Sequence, residues 1–95
     1  MELSYRPAFR KFVKKQGRAL QLAIEDETER AAGDPRIGES KKGDLSGFRV
    51  HKFVFHGQGY LMAYRLKEEA IVFYMIGTHE NFYRDLRRYA KEVER

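Results

Sequence analysis

The chain has 95 residues, no cysteine and no tryptophan, and its 19 Lys+Arg against 14 Asp+Glu give a net charge of +5. That length accommodates one small domain and excludes a two-domain enzyme, and the missing cysteines exclude disulfides, cysteine–zinc sites and thiol catalysis. The hydrophobic fraction of 42% supports a packed core, no apolar run approaches the roughly 20 residues of a membrane span, and the basic balance points to an anionic partner.

Glu2 to Tyr5 reads as a short first strand. Pro7 suits the first turn of a helix, where its missing N–H costs nothing. Ala8, Phe9, Phe12 and Val13 then recur at helical spacing, with Arg10, Lys11, Lys14 and Lys15 between them. Gly17 marks a stop, and a second helix follows from about Arg18 to Ala32. Its apolar side is Ala19, Leu20, Ala23, Ile24 and Ala31, and its middle is acidic at Glu25, Asp26, Glu27 and Glu29. Two helices with a short connection form an αα-hairpin. Residues 33 to 47 are rich in glycine and read as a long, irregular, partly mobile loop. Phe48 to Phe55, Tyr60 to Lys67 and Ala70 to Ile76 read as three strands of an antiparallel meander. The third is apolar on both faces, which places it centrally and covered on both sides. A final helix runs from about His79 or Glu80 to Val93, with Thr78 as its cap. Phe82, Leu86, Tyr89 and Val93 line one side of it, and Arg84, Arg87, Arg88 and Lys91 form a basic stripe. The fold class is therefore α+β: a single domain over residues 1–95, with an N-terminal αα-hairpin packed on a twisted antiparallel sheet and a C-terminal helix.

Four segments carry a resemblance. They are LSYRPAFRKFVKK, DPRIG…KKGDLSGFRVHKF, GYLMAYRL and FYMIGTHENFYRDLRRY. Their order and spacing resemble the RelE/ParE superfamily of toxins from bacterial type II toxin–antitoxin modules, over nearly the whole chain. The resemblance implies a cytoplasmic toxin neutralised by a cognate antitoxin, with no cofactor and no membrane association. It implies either of two activities: ribosome-dependent mRNA cleavage in RelE-like members, or inhibition of DNA gyrase without nuclease activity in ParE-like members.

RNA cleavage by 2′-OH attack needs a base, an acid for the leaving 5′ oxygen, and cations for the phosphate. By family position the catalytic set is His79, Tyr83, Arg49 and His51. Imidazole serves as acid or base near neutrality. Arg49 and His51 are two apart on a strand and share a face, with Lys52 on the other. Tyr83 lies four residues after His79, one helical turn on. Lys41, Lys42, Lys52, Arg65, Arg84 and Arg88 are the expected RNA contacts. Read without the resemblance, His51 is as well a structural histidine with a satisfied hydrogen bond, and Arg49 a donor to loop carbonyls. One position departs from the mRNA-cleaving pattern: after Gly59-Tyr60 this chain has Leu61 where the best-known nuclease has Arg, and the nearest basic residue on that strand is Arg65. Leu61 and the long last helix favour the gyrase alternative. A plain basic nucleic-acid-binding module is the third possibility. The histidines at 51, 56 and 79 lack the short ligand pairs of zinc sites, so no metal is expected.

Overall fold

The computed structural model describes residues 1–93, with the side chain of Val93, expected on the apolar side of the last helix, outside the described residues. The elements are β1 (Glu2–Tyr5), α1 (Pro7–Lys14), α2 (Arg18–Gly33), β2 (Glu39–Ser40), β3 (Arg49–Phe55), β4 (Gln58–Lys67), β5 (Ala70–Thr78) and α3 (Phe82–Val93). They form the expected α+β domain. The strand order is β1-β5-β4-β3-β2. The meander β3-β4-β5 is antiparallel, while β1 pairs in parallel with β5, so the complete sheet is mixed. This extra partner moves β5 off centre. β4 is the middle strand, and β5 is an interior strand covered on both faces.

The sheet separates two cores. On one face the αα-hairpin contributes Phe9, Leu20, Ile24 and Ala31 against Phe53, Met62, Tyr64, Ile71, Phe73 and Ile76. On the other, α3 contributes Phe82, Leu86 and Ala90 against Val50, Leu61, Ala63 and Tyr74. A β-bulge explains why β5 is apolar throughout. Ala63 pairs with Met75 but Tyr64 pairs with Phe73, which leaves Tyr74 as the extra residue. Tyr74 and Met75 consequently both pack on the α3 side.

Three local expectations are corrected. α1 already ends at Lys14, with Lys15 as its C-cap, so Gly17 is not its stop but the N-cap of α2. The stretch from 33 to 47 is built: a 3-10 turn at Pro35–Ile37, the two residues of β2, and a second 3-10 turn at Gly43–Leu45. The last helix starts at Phe82. Thr78 ends β5, and Asn81, at φ +64°, turns the chain into α3. Asparagine tolerates that left-handed angle better than most residues.

The first half of the built loop is fastened by one buried side chain. The Tyr64 hydroxyl donates to the Pro35 carbonyl and accepts from the Gly38 N–H at 2.9 Å. Burial holds the phenol above its ordinary range, so it stays a neutral donor. Arg49 then donates to the Gly38 carbonyl at 2.8 Å. Tyr64→Phe would leave two buried backbone groups unpaired and should cost about 1–3 kcal/mol in urea denaturation. Gly38→Ala would set a Cβ 2.3 Å from the Tyr64 hydroxyl and should cost at least as much. Gly33→Ala, whose Cβ meets nothing within 4 Å, should cause no loss.

Candidate functional site

The loop that Tyr64 fastens delivers Lys41 to the start of α3. The Lys41 N–H bonds the Phe48 carbonyl at 3.0 Å, and Leu45 and Phe48 are buried in the core beneath α3. The Lys41 ammonium lies over the Tyr83 ring, 4.9 Å from its centroid. The His79 ring meets the same tyrosine edge-on at 6.1 Å. This contact does not arise from helical spacing, because His79 precedes α3. The Phe82 N–H bonds the His79 carbonyl and the turn through Asn81 folds the two rings together. Tyr83 is half-buried and His79 is exposed.

Glu39, two residues before Lys41, completes the cluster. Its carboxylate accepts a short, charge-assisted hydrogen bond from the Lys41 ammonium. That bond raises the lysine above its ordinary 10.5 and lowers the glutamate below its ordinary 4.5. The stabilisation from raised Lys41 is present below about 10.5 and is lost as pH rises through the raised value. The part from lowered Glu39 is present above about 4.5 and is lost as pH falls through the lowered value. Across the neutral range both groups are therefore charged.

The structure brings Lys41, His79 and Tyr83 together, and it places Arg49 and His51 elsewhere. Strand alternation puts Arg49 and His51 on the hairpin face and Lys52 on the α3 face. His51 Nε2 is 2.7 Å from Glu27 Oε1 of α2, with both side chains largely buried. Arg49 serves the Gly38 carbonyl. Arg65 lies on the α3 face with its guanidinium 4.2 Å over the Phe48 ring, and it donates to the Ser46 carbonyl at 3.3 Å. Lys42 and Lys52 are exposed, as are Arg84 and Arg88 along α3. Arg84 pairs with Asp85, and Arg87 reaches Asp44 of the second 3-10 turn, each at 3.4 Å. Leu61 is buried under α3.

Sequence reasoning missed Glu39 and Asp44. Glu39 becomes legible once residues 39 and 40 are seen as a strand, since alternation then sends residues 39 and 41 the same way. Asp44 had no signal, because its partner lies 43 positions further along the chain.

Comparison with known proteins follows the same outline. The free-state structure of a double-arginine mutant of the E. coli toxin RelE superposes with a TM-score of 0.71, at 17% identity over 97% of this chain and 96% of that one. The toxin–antitoxin complex RelBE of E. coli matches at 0.65, with 18% identity over 83% of this chain and 96% of the matched chain. These likenesses establish the fold. Curated proteins give no significant match. The family model described as the ParE-like toxin of type II bacterial toxin–antitoxin systems matches residues 3–87, nearly the whole chain, and the protein belongs to that family.

Proposed function

We propose that this toxin is a ribosome-dependent mRNA endoribonuclease that inhibits translation. The observation that carries the reading is the cluster of Lys41, Tyr83 and His79 on the α3 side of the sheet. It offers the parts that 2′-OH attack requires. Lys41, held charged by Glu39, stabilises the crowded phosphate. His79, exposed at the end of β5, moves the proton. Tyr83 holds both against the helix and presents a phenol as hydrogen-bond donor. Lys42 and Lys52 add cations near the path of the strand. Arg49 and His51 act at one remove: the first holds the loop that carries Lys41, the second holds α2 to the sheet.

A second reading has its own observation. Leu61 is only 4% exposed beneath α3, at the position where the best-known nuclease resembled by this sequence carries Arg. That fits a ParE-like inhibitor that binds DNA gyrase and does no RNA chemistry. The partner in either case is a cognate antitoxin, as in the RelBE complex of the structural neighbour. The groove between α1 and α2 suits an acidic amphipathic segment. Its floor includes Phe9, Val13 and Ile24, and its rim carries Arg10, Lys14 and Arg18. The cytoplasm, where ribosomes and gyrase are found, is the site of action.

In a purified translation system, the wild type should create new mRNA 5′ ends inside A-site codons. His79→Ala should lower that cleavage by about 10²- to 10⁴-fold, and Tyr83→Phe should lower it less. Intact mRNA with normal translation would transfer the reading to gyrase. Glu39→Gln should lower the melting temperature only slightly at neutral pH, because the lost ion pair is exposed, and should strengthen binding of a short RNA at low salt, measured by fluorescence anisotropy, because the carboxylate no longer competes for Lys41.

A further inference from the structure

Three residues, His79, Glu80 and Asn81, carry the chain from the end of β5 into α3. Two backbone bonds shape that connection. The Phe82 N–H donates to the His79 carbonyl at 3.3 Å, which closes a four-residue turn with Asn81 as its third member. The Asp85 N–H donates to the Asn81 carbonyl at 2.9 Å, the first bond of the helix. Asn81 therefore belongs to both devices, the turn and the head of α3. A residue at the head of a helix ordinarily has extended backbone. Asn81 instead is left-handed, at φ +64°. A left-handed third residue is the mark of a type II turn, a position that takes Gly or Asn. The turn thus dictates the direction in which α3 leaves the sheet. Phe82 points into the core, 3% exposed, and Tyr83 comes to lie edge-on against the His79 ring. Asn81 itself is exposed, and the side chains that fasten α3 to the sheet, Phe82, Leu86 and Ala90, all follow it.

We propose that Asn81 is a positioning residue of the candidate site: its left-handed backbone sets the His79 imidazole against Tyr83, beside the ammonium of Lys41. Lys41 reaches the same tyrosine by a separate route, through β2, the Phe48 carbonyl and the Glu39 carboxylate. In the nuclease reading, the phosphate-binding group is therefore fixed without Asn81 and the proton-moving group is fixed through it. The backbone angle also accounts for the residue type. Gly would adopt it without strain but would leave the turn free to take many other conformations. A β-branched residue is a true outlier there. Asn tolerates the angle and still carries a side chain that narrows the alternatives. The effect on cutting rests on the nuclease reading; the placement of the imidazole does not.

The test compares Asn81→Gly, Asn81→Ala and Asn81→Val. In proton NMR the wild type should show a nuclear Overhauser contact between the His79 and Tyr83 rings, whose centroids are 6.1 Å apart. The Tyr74–Tyr89 contact, at the same separation further along α3, reports whether the helix stays docked. Asn81→Val should lose the first contact and keep the second, and Asn81→Gly should keep both. In the purified translation system Asn81→Val should lower kcat about 30-fold with KM unchanged, because the cost of the left-handed angle falls on the imidazole and not on phosphate binding. Asn81→Gly should lose less than about fivefold, with Asn81→Ala between the two. If Asn81→Val loses both contacts, Asn81→Ala supplies the comparison. A His79–Tyr83 contact that survives in every docked variant overturns the proposal. So does an equal loss in Asn81→Gly and Asn81→Val, or a loss confined to KM. Should the wild type leave mRNA intact, the nuclease reading falls and the two ring contacts alone decide the proposal.

Discussion

The hydroxyl of Tyr64 is the constraint on which the candidate site depends. It is a single buried oxygen in the middle strand, and it ties down a loop that has only a two-residue strand of its own. Its bonds to residues 35 and 38 set where the chain re-enters the sheet. Arg49 bonds the carbonyl of the same glycine, Gly38, and β2 then pairs Ser40 with Arg49. Lys41 follows directly. An ammonium on a long flexible stem loses considerable entropy when held in one place. Here backbone pairing up to Ser40, the Phe48 carbonyl and the Glu39 carboxylate supply that restraint.

The second constraint is the division of the sheet into two faces. Alternation sends Arg49 and His51 toward the hairpin and Lys52 and Arg65 toward α3. The two sets therefore face opposite sides of the sheet, with Arg49 engaged by the Gly38 carbonyl and His51 by Glu27. The bulge at Tyr74 reinforces the division, because it gives the α3 side two consecutive side chains from β5. The surface charge is not divided so cleanly, since the hairpin side also carries Arg10, Lys14 and Arg18. The acidic run of α2 lies on the hairpin side, where Glu27 meets His51, while α3 carries the arginine stripe on the other.

Much of the fold was legible because its signals are local. Pro7, the apolar spacing of the first two helices and the aromatic strands each announce their own element. The alternation of Arg49, His51 and Lys52 was legible for the same reason. What sequence reading did not supply is non-local. The parallel pairing of β1 with β5 joins residues 68 positions apart, as in Glu2 with Ala70. The loop from 33 to 47 looks irregular because its own order is limited to two short 3-10 turns and the rest comes from Tyr64, Phe48 and α3. The start of α3 was misplaced because Thr78-His79-Glu80 satisfies the cap pattern on paper, whereas Thr78 stays paired with β4 as the last residue of β5 and His79 and Glu80 form the bend and turn that precede the helix. The proximity of His79 to Tyr83 was expected from helical spacing and occurs through a left-handed turn at Asn81 instead. His51, equally readable as catalytic or structural from its strand, is committed to Glu27.

The charge state of Lys41 constrains every mechanism that can be written for this site. With Glu39 holding it above its ordinary value, the ammonium keeps its proton throughout the neutral range. It can bind a phosphate and stabilise developing negative charge, but it cannot serve as the base that starts 2′-OH attack. In the proposed nuclease reading, proton movement then falls to His79 or Tyr83, the other two members of the cluster. Without a proton-moving group in reach of the substrate, the same three residues are an anion clamp. The nuclease reading calls on the imidazole to move a proton; the inhibitor reading, carried by buried Leu61, does not. A bound phosphate would have to displace Glu39 from Lys41, and the exposed position of that carboxylate makes the exchange sterically open.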